Sequence, residues 1–271
     1  MSPRRIGTLV LVVALILCAA SIASQYIRYH TVLGSQLSGA SGGLLRVFHA
    51  NDENSIPTWF SIVSLLISCA LLFVIAHAAR ARDDRFARHW AWLAALFLLL
   101  SIDEGASLHE LATRPLREAF GASGWHSYTW VVPGLLFCTL VALVYSRFLF
   151  SLPVRTRRLF ALGAVTFTVG AIGVEGLGGW YDERNGSANM SYAILTATEE
   201  CLEMLGTGIF VYALLDYLER HAGTVELSIG EGRRSPSVNA PAADEPVQIA
   251  PGRRSGSYGT GASRRRRAAS G

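Results

Sequence analysis

The apolar residues of this chain fall in blocks about as long as a bilayer-crossing helix, separated by short polar stretches. Six blocks are read: Ile6 to Ala23, Trp59 to Ala79, Trp90 to Glu110, Trp130 to Phe150, Leu159 to Trp180 and Thr198 to Leu218. Each is near the roughly 20 residues that a helix needs to cross the hydrocarbon core. Alternation with period two is absent, which argues against a barrel, and in lipid the backbone must pair within the segment, so the blocks are expected to be helices. The predicted fold is all-α, a polytopic membrane bundle of six transmembrane helices over residues 1–221. The opening M-S-P-R-R, an apolar run and A-A-S-I-A-S also resemble a secretory signal. The run is longer than a usual signal core, which favours retention; cleavage would leave five helices in unchanged orientation.

Arginine placement sets the predicted orientation. Arg4 and Arg5 precede the first block, and Arg80, Arg82, Arg85 and Arg88 fill the connection after the second. Arg147, Arg155, Arg157 and Arg158 flank the end of the fourth, and Arg220 closes the sixth. If all six blocks cross, these sites share one side, while Arg28, Arg46, Arg114, Arg117 and Arg184 are spread over the longer loops of the other. Both termini are therefore expected in the cytoplasm, with the chain in the inner membrane of a bacterium and the lipid bilayer as its surroundings.

Composition agrees. The 271 residues are 51% hydrophobic and only 16% charged, where a soluble domain carries about 25% charge. All 24 basic residues are Arg. Without Lys there is no retinal or pyridoxal Schiff base and no Walker-type phosphate lysine, so retinal pumps and nucleotide-binding P-loop enzymes are excluded. Cys18, Cys69, Cys138 and Cys201 each lie alone in an apolar block and read as small buried hydrophobes, neither a zinc set nor a disulfide frame. From 222 to 271 the chain turns to Gly, Ser, Pro, Ala and Arg and is expected to be a disordered cytoplasmic tail. Its arginine runs suit contact with anionic lipid headgroups or simply a solvated, topology-fixing tail. Nucleic acid is not expected, because no aromatics or folded module accompany the charges.

Acids stand where acids are expensive. The third block ends in Asp103, Glu104, Ser107, His109 and Glu110; the fifth carries Glu175, followed by Asp182 and Glu183; the sixth opens with Glu199, Glu200 and Glu203. The first two run outward and the sixth inward, so all three sets are expected within roughly 10 Å of one outer boundary. Nothing comparable is read at the inner boundary. Asp103, Ser107 and Glu110 share a helix face by spacing, as do Glu199 and Glu203, with Glu200 three residues before Glu203. Carboxylates with one or two imidazoles suit a hard or borderline divalent ion such as Mn, Fe, Ca or Zn. The candidate ligands are Asp103, Glu104, His109, Glu110, Glu175, Glu199, Glu200 and Glu203, with His126 as a second nitrogen. Neither the paired Glu-x-x-His of di-iron bundles nor H-E-x-x-H is present.

Structural readings compete. Thr196-Ala-Thr-Glu199 has capping-box spacing, which would make Glu199 and Glu200 helix-start residues favoured by the macrodipole. Glu175 has the alternative of pairing with Arg114. Trp59, Trp90, Trp125, Trp130, Trp180 and Tyr181 read as a headgroup belt, and Gly170, Gly173, Gly176, Gly178 and Gly179 as a close-packing face.

At D-E-G-A-S-L-H-E and E-E-C-L-E-M-L-G the chain resembles a group of bacterial multipass membrane proteins of no established activity, over Trp90 to Leu218. The resemblance implies that these segments act as a unit. Intramembrane CAAX-type proteases are rejected, because Met204 stands where their E-E-x-x-x-R places Arg. Three functions follow: a cation- or proton-binding sensor or transporter, a metal-dependent membrane enzyme acting on a lipid-type substrate, and a non-catalytic scaffold or assembly subunit. The inner halves of the blocks are plain Leu, Val, Ala and Phe, which weakens a through-pathway.

Overall fold

The computed structural model describes residues 2–30, 47–48, 55–108, 111 and 131–222. Among these, six long helices and no strands are found: α1 (Pro3–His30), α2 (Ile56–Ala81), α3 (Ala87–Ala106), α4 (Val131–Ser151), α5 (Val154–Asn185) and α6 (Met190–Tyr217, with a wider last turn Leu218–Ala222). Five are long and apolar enough to cross a membrane. The exception is α3, whose apolar run is diluted by His89 at its start and by Asp103 and Glu104 at its end. The expected tail beyond Ala222 lies outside the described residues.

Successive helices alternate in direction. Arg4 at the start of α1 and Arg155 at the start of α5 both reach Asp216 near the end of α6. At the end of α2, Arg82 donates to the His221 carbonyl, and Tyr145 near the end of α4 donates to the His89 carbonyl at the start of α3. One end of the bundle thus gathers the arginines, as the charge pattern predicts. The opposite end carries the carboxylates of α3, α5 and α6.

The most buried helix is α6, and small residues let its neighbours approach. Along α1 the register is antiparallel: Gly7 lies on Tyr212, Leu11 on Gly208 and Cys18 on Cys201. On α5, Gly163 and Phe167 face Gly206, where a Cβ would sit 2.6 Å from the Phe167 amide nitrogen. Gly170 does face α6, but Gly173, Gly176 and Gly178 meet only ordinary contacts. The close-packing face is therefore Gly163 against Gly206 and Gly170 against Glu199 and Leu202, narrower than the glycine run implies.

Aromatic side chains fill the arginine half. Trp90 stands edge-on to Phe148 at 4.7 Å between ring centroids, and Phe97 stacks on Phe210 at 4.5 Å. Phe160 and Tyr217 complete the cluster. Trp90 is only 1% exposed, so it belongs to this core and not to a headgroup belt. Helix α3 begins at Ala87, which places Trp90 one turn inside. Trp59 and Trp180 are exposed as a belt requires, and Trp125 and Trp130 lie outside the described residues. Helix α4 stands apart, with Phe148 as its one buried residue.

Candidate functional site

The sixth helix begins well before its glutamates. Its N-cap is Asn189, whose side chain accepts a 3.0 Å hydrogen bond from the Tyr192 amide. Thr196 is therefore no cap, and Glu199, Glu200 and Glu203 sit more than two turns inside a continuous helix. Glu175 is likewise ten residues before the end of α5. Both helices project about 15 Å past their acids, whereas Glu104 stands two residues before the end of α3.

Local backbone geometry brings the acids together. From Val169 to Val174, α5 widens into a π-helix immediately before Glu175, a departure frequent at functional sites. Within this turn Gly170 lets the backbones touch: a Cβ there would lie 2.8 Å from the Glu199 carbonyl and 3.2 Å from the Glu203 Cγ. Helix α3 delivers Glu104 in its last turn. It ends at Ala106, with Ser107 in a left-handed conformation at φ 46°. The helical face expected for Asp103 and Ser107 thus meets a backbone turn after Ala106, and Glu110 of the same expected face lies outside the described residues.

The strongest charge effects on Glu200 are those of Glu104, Glu199 and Glu175, and Glu203 feels the same three together with Glu200. Five of the eight predicted residues therefore share one electrostatic neighbourhood drawn from three helices. Asp103 is not among the charges that act most on Glu200 and Glu203. His109 and Glu110 lie outside the described residues, as do His126 and Arg114. Among the described residues, no three His, Cys, Asp or Glu side chains form a group that could hold a metal ion. Among the described residues the arrangement is a set of acids within coupling range, not a preassembled ligand cage.

Polar groups line the helices in the same half of the bundle. Ser21, Ser24 and Gln25 of α1, Thr58, Ser61 and Ser64 of α2, and Ser101 of α3 are all buried. Ser101 Oγ donates to the Ile62 carbonyl at 3.1 Å, which sets that part of α2 level with the end of α3. Gln25 Oε1 and Ser61 Oγ are buried without a partner among the described residues. Such groups normally find a donor or acceptor in water or a ligand.

Two features escaped the sequence reading. Cys18 and Cys201 are not solitary: their thiols neighbour each other across α1 and α6, within a small apolar cluster with Ala14, Leu17 and Met204. We expect copper-phenanthroline oxidation to join them, so that a protease cut between the helices releases separate fragments only after reduction. Serine at either position should abolish the link, and fragments that separate without reductant would refute the contact.

The other is Asp216. Its side chain is 1% exposed and takes three guanidinium groups: Arg4 Nε at 3.1 Å on Oδ1, and Arg155 and Arg220 Nε, each at 3.0 Å, on Oδ2. The arginine end thus holds a buried acid of its own, which corrects the expectation that nothing comparable stands there. The available signal was local, an acid in an apolar run with Arg220 four residues on, on the same face.

The family described as "Domain of unknown function (DUF8692)" matches residues 7–218, from the first turns of α1 to the end of α6. The chain belongs to this family. The matched region holds the carboxylates of α3, α5 and α6, and it extends beyond the Trp90 to Leu218 stretch of the resemblance to include α1 and α2. No curated protein and no solved structure matches the chain.

Proposed function

We propose that this family member is an integral protein of the bacterial inner membrane, with both termini cytoplasmic, whose carboxylate cluster takes up protons or a divalent cation from the periplasmic side and acts as a sensor. The observation that carries this reading is the convergence of Glu104 of α3, Glu175 of α5 and Glu199 of α6 on Glu200 and Glu203. Like charges held this close in a partly dry site favour uptake of positive charge. Buried Gln25 Oε1 and Ser61 Oγ in the same half add oxygen acceptors of the kind a hard cation or its waters use. Sensing is favoured over transport because aromatic packing of Trp90, Phe97, Phe148, Phe160 and Phe210 fills the other half. Retention of the first helix is favoured by its close seating on α6 through Gly7 and Leu11.

The test compares detergent-purified wild type with Glu200→Gln plus Glu203→Gln. Calorimetric titration with Mn²⁺, Ca²⁺ and Zn²⁺, and proton uptake between pH 5 and 8 followed with an indicator dye, are read on both. At least one cation, or proton uptake, should be weakened ten-fold or more in the double variant. Identical titrations in both proteins would remove the site and leave the scaffold reading.

A further inference from the structure

The arginine constellation at the far end is assembled in an unusual way. Arg4, Arg155 and Arg220 come from three helices and all meet one buried carboxylate through Nε. Since Arg155 and Arg220 share Oδ2, their Nε atoms are no farther apart than twice 3.0 Å. Arg4 Nε also meets Glu219 at 3.2 Å, and Arg155 Nη2 donates to Tyr212 Oη at 3.1 Å. The Nη groups of Arg4 and Arg220, and Nη1 of Arg155, have no partner among the described residues. The side chains are 45%, 51% and 38% exposed for Arg4, Arg155 and Arg220, which leaves those donors open to the surroundings. Three positive and two negative groups leave one uncancelled positive charge. The start of α5 adds to it: its N-cap is Pro153, without a side-chain cap, and Arg155 lies in its first turn.

Planar guanidinium forks held rigid and close, beside an uncapped helix start, match the oxygens of a phosphate. A purely structural ion pair needs one arginine, and in the usual case leaves its fork directed at the acid. Here one acid takes three guanidinium groups by their inner nitrogens, and Arg155 Nη2 is engaged by Tyr212 Oη. We infer that Arg4, Arg155 and Arg220, preorganised by Asp216, form a binding site for a phosphate group. Its source is either the headgroup of an anionic phospholipid or a free phosphate. The lipid source rests on the membrane-embedded reading. Resistance of the protein to alkaline carbonate extraction from membranes tests that reading separately.

The experiment uses the full chain in detergent and follows the shift of the unfolding midpoint on titration with phosphatidylglycerol, phosphatidylcholine or inorganic phosphate. Three proteins are compared: wild type, Arg155→Gln, and a control with Arg264, Arg265, Arg266 and Arg267 changed to Gln. Arg155→Gln leaves Asp216 with two guanidinium partners, and because each protein is read against itself without ligand, basal stability cancels. Wild type and the tail variant should be stabilised at similar concentrations, while Arg155→Gln needs at least ten-fold more. A shift with phosphatidylglycerol alone assigns a lipid headgroup; a shift with inorganic phosphate as well assigns a general phosphate site. Equal response of phosphatidylcholine and phosphatidylglycerol, no shift in wild type, an unchanged response in Arg155→Gln, or loss only in the tail variant would overturn the inference.

Discussion

Replacing Asp216 with Ala should lower the unfolding midpoint of the detergent-solubilised protein by about 6–12 °C, equivalent to about 3 kcal/mol for a domain of this size. Hydrogen bonds to charged groups contribute about 1.5–3 kcal/mol each, and Asp216 accepts one from each of three arginines. The full sum is not expected, because the guanidinium groups are half exposed and regain water when the acid is lost. What they do not regain is the link between α1, α5 and α6, nor relief from mutual repulsion. Asp216→Asn keeps the shape and one acceptor, so its midpoint should fall between those of Ala and wild type. A midpoint for Asp216→Ala within 2 °C of wild type would show that the three ion pairs contribute nothing to the fold.

The second large effect is expected at Gly206. A methyl group there would lie 2.6 Å from the Phe167 amide nitrogen and 2.9 Å from the Gly163 carbonyl oxygen. Both are backbone atoms of α5 and cannot turn aside as a side chain does. Gly206→Ala must therefore push two helices apart, and about 3 kcal/mol is expected, at the upper end of the usual overpacking range. Gly170→Ala meets the Glu199 carbonyl at 2.8 Å and should cost about as much; it also moves α5 where the carboxylates gather, so its cation or proton response should change with its stability. Gly173→Ala is the control, since its nearest neighbour is the Val169 side chain at 3.9 Å. Thermal unfolding of the three variants would refute this packing if Gly206→Ala and Gly173→Ala behaved alike.

Which parts of this were readable from the chain follows from the range of the forces involved. Helix number and alternation depend on local hydropathy and arginine placement, so α1 to α6 fall where the apolar blocks stand, with ends that extend several residues further, as at Met190 and Val154. Glu104, Glu175 and Glu200 were readable because an acid within an apolar run stands out one residue at a time. Asp216 was equally conspicuous by that test. Its importance comes from Arg4 and Arg155, 212 and 61 residues away, and no local pattern marks those pairings. The meeting of Cys18 and Cys201 depends on the same long-range register. The π-turn before Glu175 lies in a glycine-rich stretch whose composition shows that close approach is allowed, but not which glycine makes it.

Helix α4 carries a different lesson. Phe148 is the one buried residue of α4, Tyr145 and Leu149 pack beside it, and Leu136, Leu140 and Leu143 are exposed apolar positions. Evolution can then exchange Leu136, Leu140 or Leu143 for almost any other greasy residue at little penalty. Among relatives this helix should drift fastest in sequence while keeping its character, with the aromatic ring at 148 as its fixed point.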